Sequence, residues 1–224
     1  SAPDIAGKGT GKSQVDVDSH QFTVYGDYTA DDYYIEGMAG YAFNENTSRR
    51  SIAFAGLSRT ASADYDSDQF MFSVGGGMPI KTGDAYFTPT VGLQYTNVET
   101  ESFTETGAGN LNLISTPDDV EAMIASVGAK LHGNIASGNQ ILQPMVRFGV
   151  SYDIIGDNAA TTASYTGGGA AFKATGAESV DFSTNGGVGL SLITGGQSLS
   201  ANYDASMKED FIAHSGSITL KSTF

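Results

Sequence analysis

Cysteine is absent from the 224 residues. That removes disulfides, thiolate metal sites, iron–sulfur clusters and a cysteine nucleophile. Basic residues are scarce: 11 Lys+Arg stand against 25 Asp+Glu, for a net charge of −14 and a pI near 4.3. A chain this acidic, with no basic cluster, lacks the electrostatic footprint of a nucleic-acid binder. Charged residues of both signs amount to only 16%, well under the ~25% of an average soluble domain. Long apolar runs are missing as well, and none approaches the ~18 residues of a membrane-spanning helix. The opening Ser1-Ala2-Pro3-Asp4 has neither the basic nor the apolar region of a signal peptide. A membrane is not thereby excluded, because a transmembrane barrel carries its apolar residues at every second position, where a window average does not register them.

Glycine is abundant at 29 of 224 residues, about 13%, against a usual ~7%. Twelve Phe and 11 Tyr, with so little charge, argue against disorder, and the length suits a single domain. The dominant pattern is alternation with period two. Phe22, Val24 and Tyr28 share one face, and Gln21, Thr23, Tyr25 and Asp27 the other. Phe70, Phe72, Val74 and Met78 alternate with Gln69, Met71, Ser73 and Gly75. Val146, Phe148, Val150 and Tyr152 alternate with Met145, Arg147, Ser151 and Asp153. Similar alternation covers residues 33–43, 85–96, 182–192, 198–205 and 217–224. Residues 118–131 fit helical spacing through Val120, Ile124, Val127 and Leu131, and also a strand with Met123, Ala125, Val127, Ala129 and Leu131 on one face. Their place in the repeating strand–turn–strand pattern selects the strand.

The connections differ in kind. Residues 30–32, 81–84, 135–139 and 194–196 are tight turns, whereas 44–68, 97–119 and 153–181 are long and polar loops. Short and long links alternate. A transmembrane barrel produces that asymmetry, with short periplasmic turns and longer external loops, and the segment lengths suit tilted bilayer-crossing strands. The expected fold is all-β, an antiparallel transmembrane β-barrel. Counting from Gln21 gives nine strands, an odd number that places Gln21 on the long-loop side. Either the Gly- and Lys-rich segment 1–20 contributes to a tenth, early strand, or the chain begins inside a larger barrel. The second is the preferred reading, with residues 21–224 as the barrel domain.

Charge placement supports the same picture. Glu36, Arg147, Asp153, Asp204 and Lys221 lie on the polar faces, joined by Lys130 if 118–131 is a strand. A cation facing lipid at mid-bilayer costs roughly 2–4 kcal/mol, so these six residues are expected to line a hydrated lumen. A soluble barrel with a ligand cavity would show the reverse, a polar exterior with more surface charge.

Other motifs carry little. Ala6-Gly7-Lys8-Gly9-Thr10-Gly11-Lys12-Ser13 fits a relaxed phosphate-loop pattern, but no strand precedes it and strand-like alternation follows it. It is expected to be a flexible terminus. Asp64-x-Asp66-x-Asp68 opens like a calcium loop, yet Gln69 and Gly75 occupy the places of its Gly and Glu, so a solvated loop is expected. His20, His132 and His214 have no ligand partner at metal-site spacing, and no Gly-x-Ser-x-Gly elbow presents a nucleophile. Neither a cofactor nor an enzymatic activity is expected.

From about Gln21 to Phe224 the chain resembles the autotransporter β-domain, the translocator of type V secretion. The likeness rests on ordered local signatures. The first is Tyr33-Tyr34-Ile35-Glu36-Gly37-Met38-Ala39-Gly40-Tyr41-Ala42-Phe43-Asn44, followed by Arg49-Arg50-Ser51-Ile52. Next come Arg59-Thr60-Ala61-Ser62-Ala63-Asp64-Tyr65-Asp66 and Phe103-Thr104-Glu105-Thr106-Gly107-Ala108-Gly109. Ala201-Asn202-Tyr203-Asp204 and a terminal Phe224 close the series. The resemblance implies an outer-membrane anchor and pore exporting an N-terminal passenger in cis, in contact with lipid and lipopolysaccharide. It also implies that Ile218, Leu220 and Phe224 are read by the barrel-assembly machinery. The family barrel has twelve strands and a linker helix in the pore; the helix and the first strands have no counterpart here. A stand-alone small outer-membrane barrel, serving as pore or adhesin, is the alternative, and a soluble ligand-binding β-barrel a more distant one.

Overall fold

A computed structural model describes residues 13–209 and 211–222. In chain order the strands are β1 (Ser13–Thr29), β2 (Tyr34–Phe54), β3 (Leu57–Gly77), β4 (Ile80–Thr82), β5 (Ala85–Thr100), β6 (Phe103–Thr104), β7 (Leu113–Pro117), β8 (Val120–Gly133), β9 (Ile135–Ser137), β10 (Gln140–Asp153), β11 (Ala160–Tyr165), β12 (Phe172–Thr175), β13 (Phe182–Thr194), β14 (Gln197–Lys208) and β15 (Phe211–Ser222). Nine of them form one antiparallel meander, β1-β2-β3-β5-β8-β10-β13-β14-β15. Each pairs with its successor along that path, with β1 and β15 at its two ends. The sheet is curled. No helix of the described residues is long and apolar enough to cross a membrane.

The alternation resolves into two faces of very different chemistry. Phe22, Val24, Val91, Phe148, Ile218 and Leu220 are all strongly exposed, from 60% for Phe148 to 81% for Ile218. The buried apolar residues among those described are six alanines. A folded chain with a bare aromatic and aliphatic outer face and no apolar interior buries that face in something other than itself. The ambiguous segment 118–131 settles as β8, in register with β5 on one side and β10 on the other.

The long polar links are more ordered than expected. Residues 44–68 are not a loop: β2 and β3 are each 21 residues long and stay paired from Tyr34↔Gly77 to Phe54↔Leu57. At ~3.3 Å per residue such a strand is roughly 70 Å long, more than twice a bilayer core. The apolar stripe stops near Phe43 because neither face of the hairpin needs apolar side chains beyond the membrane. The hydrogen-bond ladder, which the sequence does not display, continues. The Asp64, Asp66 and Asp68 step therefore lies on one face of a strand, its members roughly 7 Å apart, with Asp64 accepting a hydrogen bond from Thr47 Oγ1 (2.8 Å). The other two long links contain β6, β7, β11 and β12, which make a second sheet in the order β12-β11-β7-β6.

Tight turns close the opposite end. Gly195 and Gly196 both adopt positive φ (52° and 85°) between β13 and β14, the conformation a two-residue hairpin turn requires. Strict alternation of short and long links fails twice on the long-loop side: only Ala55 and Gly56 join β2 to β3, and β14 stops at Lys208 while β15 starts at Phe211. Ser13–Thr29 form a single strand, so Ser13–Asp18 lengthen β1. The phosphate-loop-like stretch lies outside the described residues apart from Ser13.

Candidate translocation face

One face of the meander is lined by small and polar side chains. Straight across the strands runs the row Asp27, Glu36, Gly75, Gly92, Ser126, Ser151, Ser183 and Lys208. In the middle of it, flanked by the larger Tyr25, Tyr34, Met38 and Ile124, lies a hollow of about 590 Å³ bordered by Asp27, Glu36, Gly75, Gly92, Ser126 and Ser151. The absence of bulk at these positions makes the hollow. A Cβ on Gly92 would stand 2.7 Å from Ser126 Oγ, and one on Gly75 would stand 3.3 Å from the Val91 carbonyl.

A second row on the same face carries the cations. It reads Thr88, Lys130, Arg147, Gly187, Asp204 and Ser215. Arg147 reaches over β13 to Asp204 as a two-pronged ion pair, with Nε donating to Oδ1 at 2.6 Å and Nη2 donating to Oδ2. The pair passes over Gly187. A Cβ there would lie 2.9 Å from Arg147 Nε and collide with Asp204 Oδ1. Lys130 sits beside Arg147 in register.

The remaining expected residues have distinct surroundings. Asp153, at the end of β10, is buried, and its Oδ1 accepts from the backbone N–H groups of Met123, Ile155 and Gly156. It organises the start of a loop. Lys221 is exposed near the turn end of β15, in register with Ser198. Ile218 and Leu220 project from the apolar face of β15, and Phe224 lies outside the described residues. His214 Nδ1 is 2.8 Å from the Tyr203 hydroxyl, and His132 stacks on Tyr86 with ring centroids 5.0 Å apart; neither gathers a metal set.

The cluster that sequence reasoning missed lies beyond the hollow, at the long-loop end. Arg50 donates to Glu105 through Nε (3.0 Å) and Nη2 (2.5 Å), and Nη2 also donates to the Leu111 carbonyl (3.0 Å). Glu105 is buried, and it accepts a further bond from the Leu113 N–H at 2.8 Å. The bond to Glu105 holds the Arg50 guanidinium above its ordinary pKa. Arg59 donates to the Ala108 carbonyl at 2.6 Å. Tyr65 stacks on Phe103 with centroids 4.1 Å apart, and burial pushes the pKa of its phenol up. Both halves of this cluster stand in the quoted signature stretches, Arg49-Arg50-Ser51-Ile52 and Phe103-Thr104-Glu105-Thr106, 55 residues apart from Arg50 to Glu105. Local patterning cannot pair them.

Known proteins agree with this architecture. The family described as Autotransporter beta-domain matches residues 4–204. Outer membrane protein A of Rickettsia conorii is 25% identical over 216 residues, covering 93% of this chain and 11% of that protein. Its counterpart in Rickettsia rickettsii is 24% identical over 216 residues, covering 93% and 10%. The chain thus spans about a tenth of the length of these curated relatives. The translocator domain of the autotransporter NalP from Neisseria meningitidis superposes with a TM-score of 0.65 at 20% identity, over 95% of this chain and 68% of that one. The β-domain of the Bordetella autotransporter BrkA superposes at 0.59 and 20% identity, over 99% and 78%. With the family matched across nearly all of its length, and its bare apolar outer face and polar inner face on one antiparallel meander, the chain belongs to the autotransporter β-domain family.

Proposed function

We propose that this domain anchors a longer protein in the membrane and supplies the wall of the passage through which an N-terminal passenger crosses. Family membership places it in the bacterial outer membrane. The observation that carries the rest is the split between faces. An apolar exterior such as Val91 at 66% exposure is backed, one residue along, by Gly92 on the rim of a hollow into which the row of Asp27, Glu36, Ser126 and Ser151 brings polar groups. Lipid satisfies the first and water the second. Glu36, Lys130, Arg147, Asp204 and Lys221 then belong to the hydrated lumen, where charges keep their solvation. The outer face, from Phe22 to Leu220, meets acyl chains, with lipopolysaccharide around its external rim. The tight turns face the periplasm and the long β2–β3 hairpin with the second sheet stands outside the cell. The apolar edge of β15, with Ile218 and Leu220, is the template that the barrel-assembly machinery would engage by strand pairing. The domain performs no covalent step in this reading.

The test uses the full-length protein with its passenger. Ser126→Phe together with Ser151→Phe fills the hollow. Passenger displayed on whole cells should fall at least tenfold, with inserted barrel, judged by heat-modifiable migration, unchanged. Val91→Phe, on the lipid face, should export normally. Normal export by the doubly substituted protein at normal insertion would reject the passage assignment.

A further inference from the structure

We propose that residues 105–113 form a latched outer gate, held shut against the β2–β3 hairpin by the Arg50–Glu105 pair. The proposal rests on the passage reading above and adds a device to it. Position on the wall is the first argument. Arg50 shares its strand face with Glu36, because both lie at even positions along an uninterrupted β2 ladder. Ala61 and Ala63 share theirs with Gly75 on β3 in the same way. The hollow lies on this face. The segment that covers it at the loop end is therefore on the axis side of the wall: Ala61 is fully buried and Ala63 nearly so, and Ala108 within the segment is fully buried as well.

The attachment is strong at one place and sparse around it. Ser62 and Thr106 exchange both backbone bonds, at 2.9 and 2.8 Å, as an isolated bridge outside the named strands. Gly107 makes the close approach possible. It has φ +93°, and a Cβ there would lie 2.6 Å from the Thr60 carbonyl. Beside this bridge stand a backbone bond from the Glu101 N–H to the Asp66 carbonyl (3.0 Å), where the β3–β5 pairing ends, and side-chain bonds, with Thr106 Oγ1 donating to the Ser62 carbonyl, Glu105 gripped by Arg50 and the Ala108 carbonyl held by Arg59. The other end of the same unit is tethered differently. Asp118 donates its N–H to the Ala160 carbonyl (2.8 Å) and Ile154 donates to the Met123 carbonyl (2.7 Å), at the ends of β8 and β10. Tethered to the ends of β8 and β10 and clipped to the β2–β3 hairpin by two short backbone contacts and one largely buried ion pair, the unit can swing once the clip opens. A continuous ladder would not release without unzipping. Glu105 is buried, so without Arg50 it would be left as an uncompensated charge, and without Glu105 the guanidinium loses its two-pronged partner; the clip closes only when both are present.

Chemistry also supplies the test. The chain has no cysteine, and a hydrogen-bonded antiparallel pair such as Ser62 and Thr106 stands at about 5.5 Å between Cα atoms, within disulfide reach. The full-length protein, wild type or with Ser62→Cys and Thr106→Cys, is reconstituted in planar bilayers, and the potassium chloride current is recorded with and without Glu105→Ala. Glu105→Ala should raise the mean current at least threefold. Oxidising the cysteine pair in that background should return it to the wild-type level, and reductant should raise it again. Rescue by the cross-link separates gating from misfolding, since a misfolded barrel would not be restored by one bond. Equal currents in the oxidised and reduced Glu105→Ala protein would overturn the gate and leave the passage reading intact. No current in any form, the reduced Glu105→Ala protein included, would overturn both.

Discussion

At the residue scale the inner face is decided by what is small. Gly187 shows this most sharply, because the Arg147–Asp204 pair occupies the space where its side chain would be. The pair is partly exposed, at 39% and 34%, so its own contribution is about 1 kcal/mol or less. Replacing both charged residues by alanine should therefore cost little. Gly187→Ala should cost more, about 2 kcal/mol, because it breaks the pair, leaves two charges unmatched and pushes the β13 backbone aside. Urea unfolding in detergent micelles checks the order, and a Gly187→Ala protein as stable as the double alanine variant would contradict it. Ala55 is the opposite case. It holds φ +47° at the β2–β3 tip, the only non-glycine with positive φ among the described residues. A side chain in that region costs about 1 kcal/mol, so Ala55→Gly should stabilise the hairpin end. Slower hydrogen exchange at Phe54 and Leu57 amides would register it.

At the scale of elements, the membrane decides what a sequence can display. Strands within it carry an apolar stripe against lipid, and those strands are legible residue by residue, from Phe22 and Val24 in β1 to Ile218 and Leu220 in β15. Above it the stripe ends, and Asn44, Asn46, Ser48 and Arg50 continue β2 with no outward sign of pairing. The same cause hid β6, β7, β11 and β12 inside links that are polar and glycine-rich. That Glu36, Lys130, Arg147 and Asp204 share one face of the sheet was readable because alternation alone fixes parity. The grip of Arg50 on Glu105 was not, since it depends on register between distant segments. The extramembrane part should behave as its own unit. Tyr65→Ala removes a stack that brings about 0.5–1.5 kcal/mol beyond burial, so hydrogen exchange should quicken across residues 103–117 and stay unchanged across 88–96 in β5. Uniform quickening of both would show one cooperative body instead.

The whole molecule is an inversion of a soluble β-protein. Its apolar side chains are outside, its buried residues among those described are alanines and a few polar groups, and many of its acidic residues stand in the links and the β2–β3 hairpin, among them Asp31, Asp32, Asp64, Asp66, Asp68, Asp84 and Asp118. For a soluble barrel the exposed set would be an aggregation surface; in a bilayer it is the anchor, and the same residues set the depth at which the domain sits. Spin labels make the distinction measurable. Phe72, Val91, Phe148 and Leu190 are exposed on the outer face, and Ser151 and Asp204 lie on the inner one. Oxygen, which concentrates in the acyl region, should relax labels at the first four, and a water-soluble nickel chelate those at the last two. Val150 is the informative position. It lies on the outer face by alternation yet is less exposed than Phe148, its neighbour two residues back on the same face. Its label should still respond to oxygen, more weakly than the label at Phe148. A nickel response at Val150 would mean that β10 slips by one residue, which would turn Arg147 toward lipid and undo the face assignment for every strand paired to it.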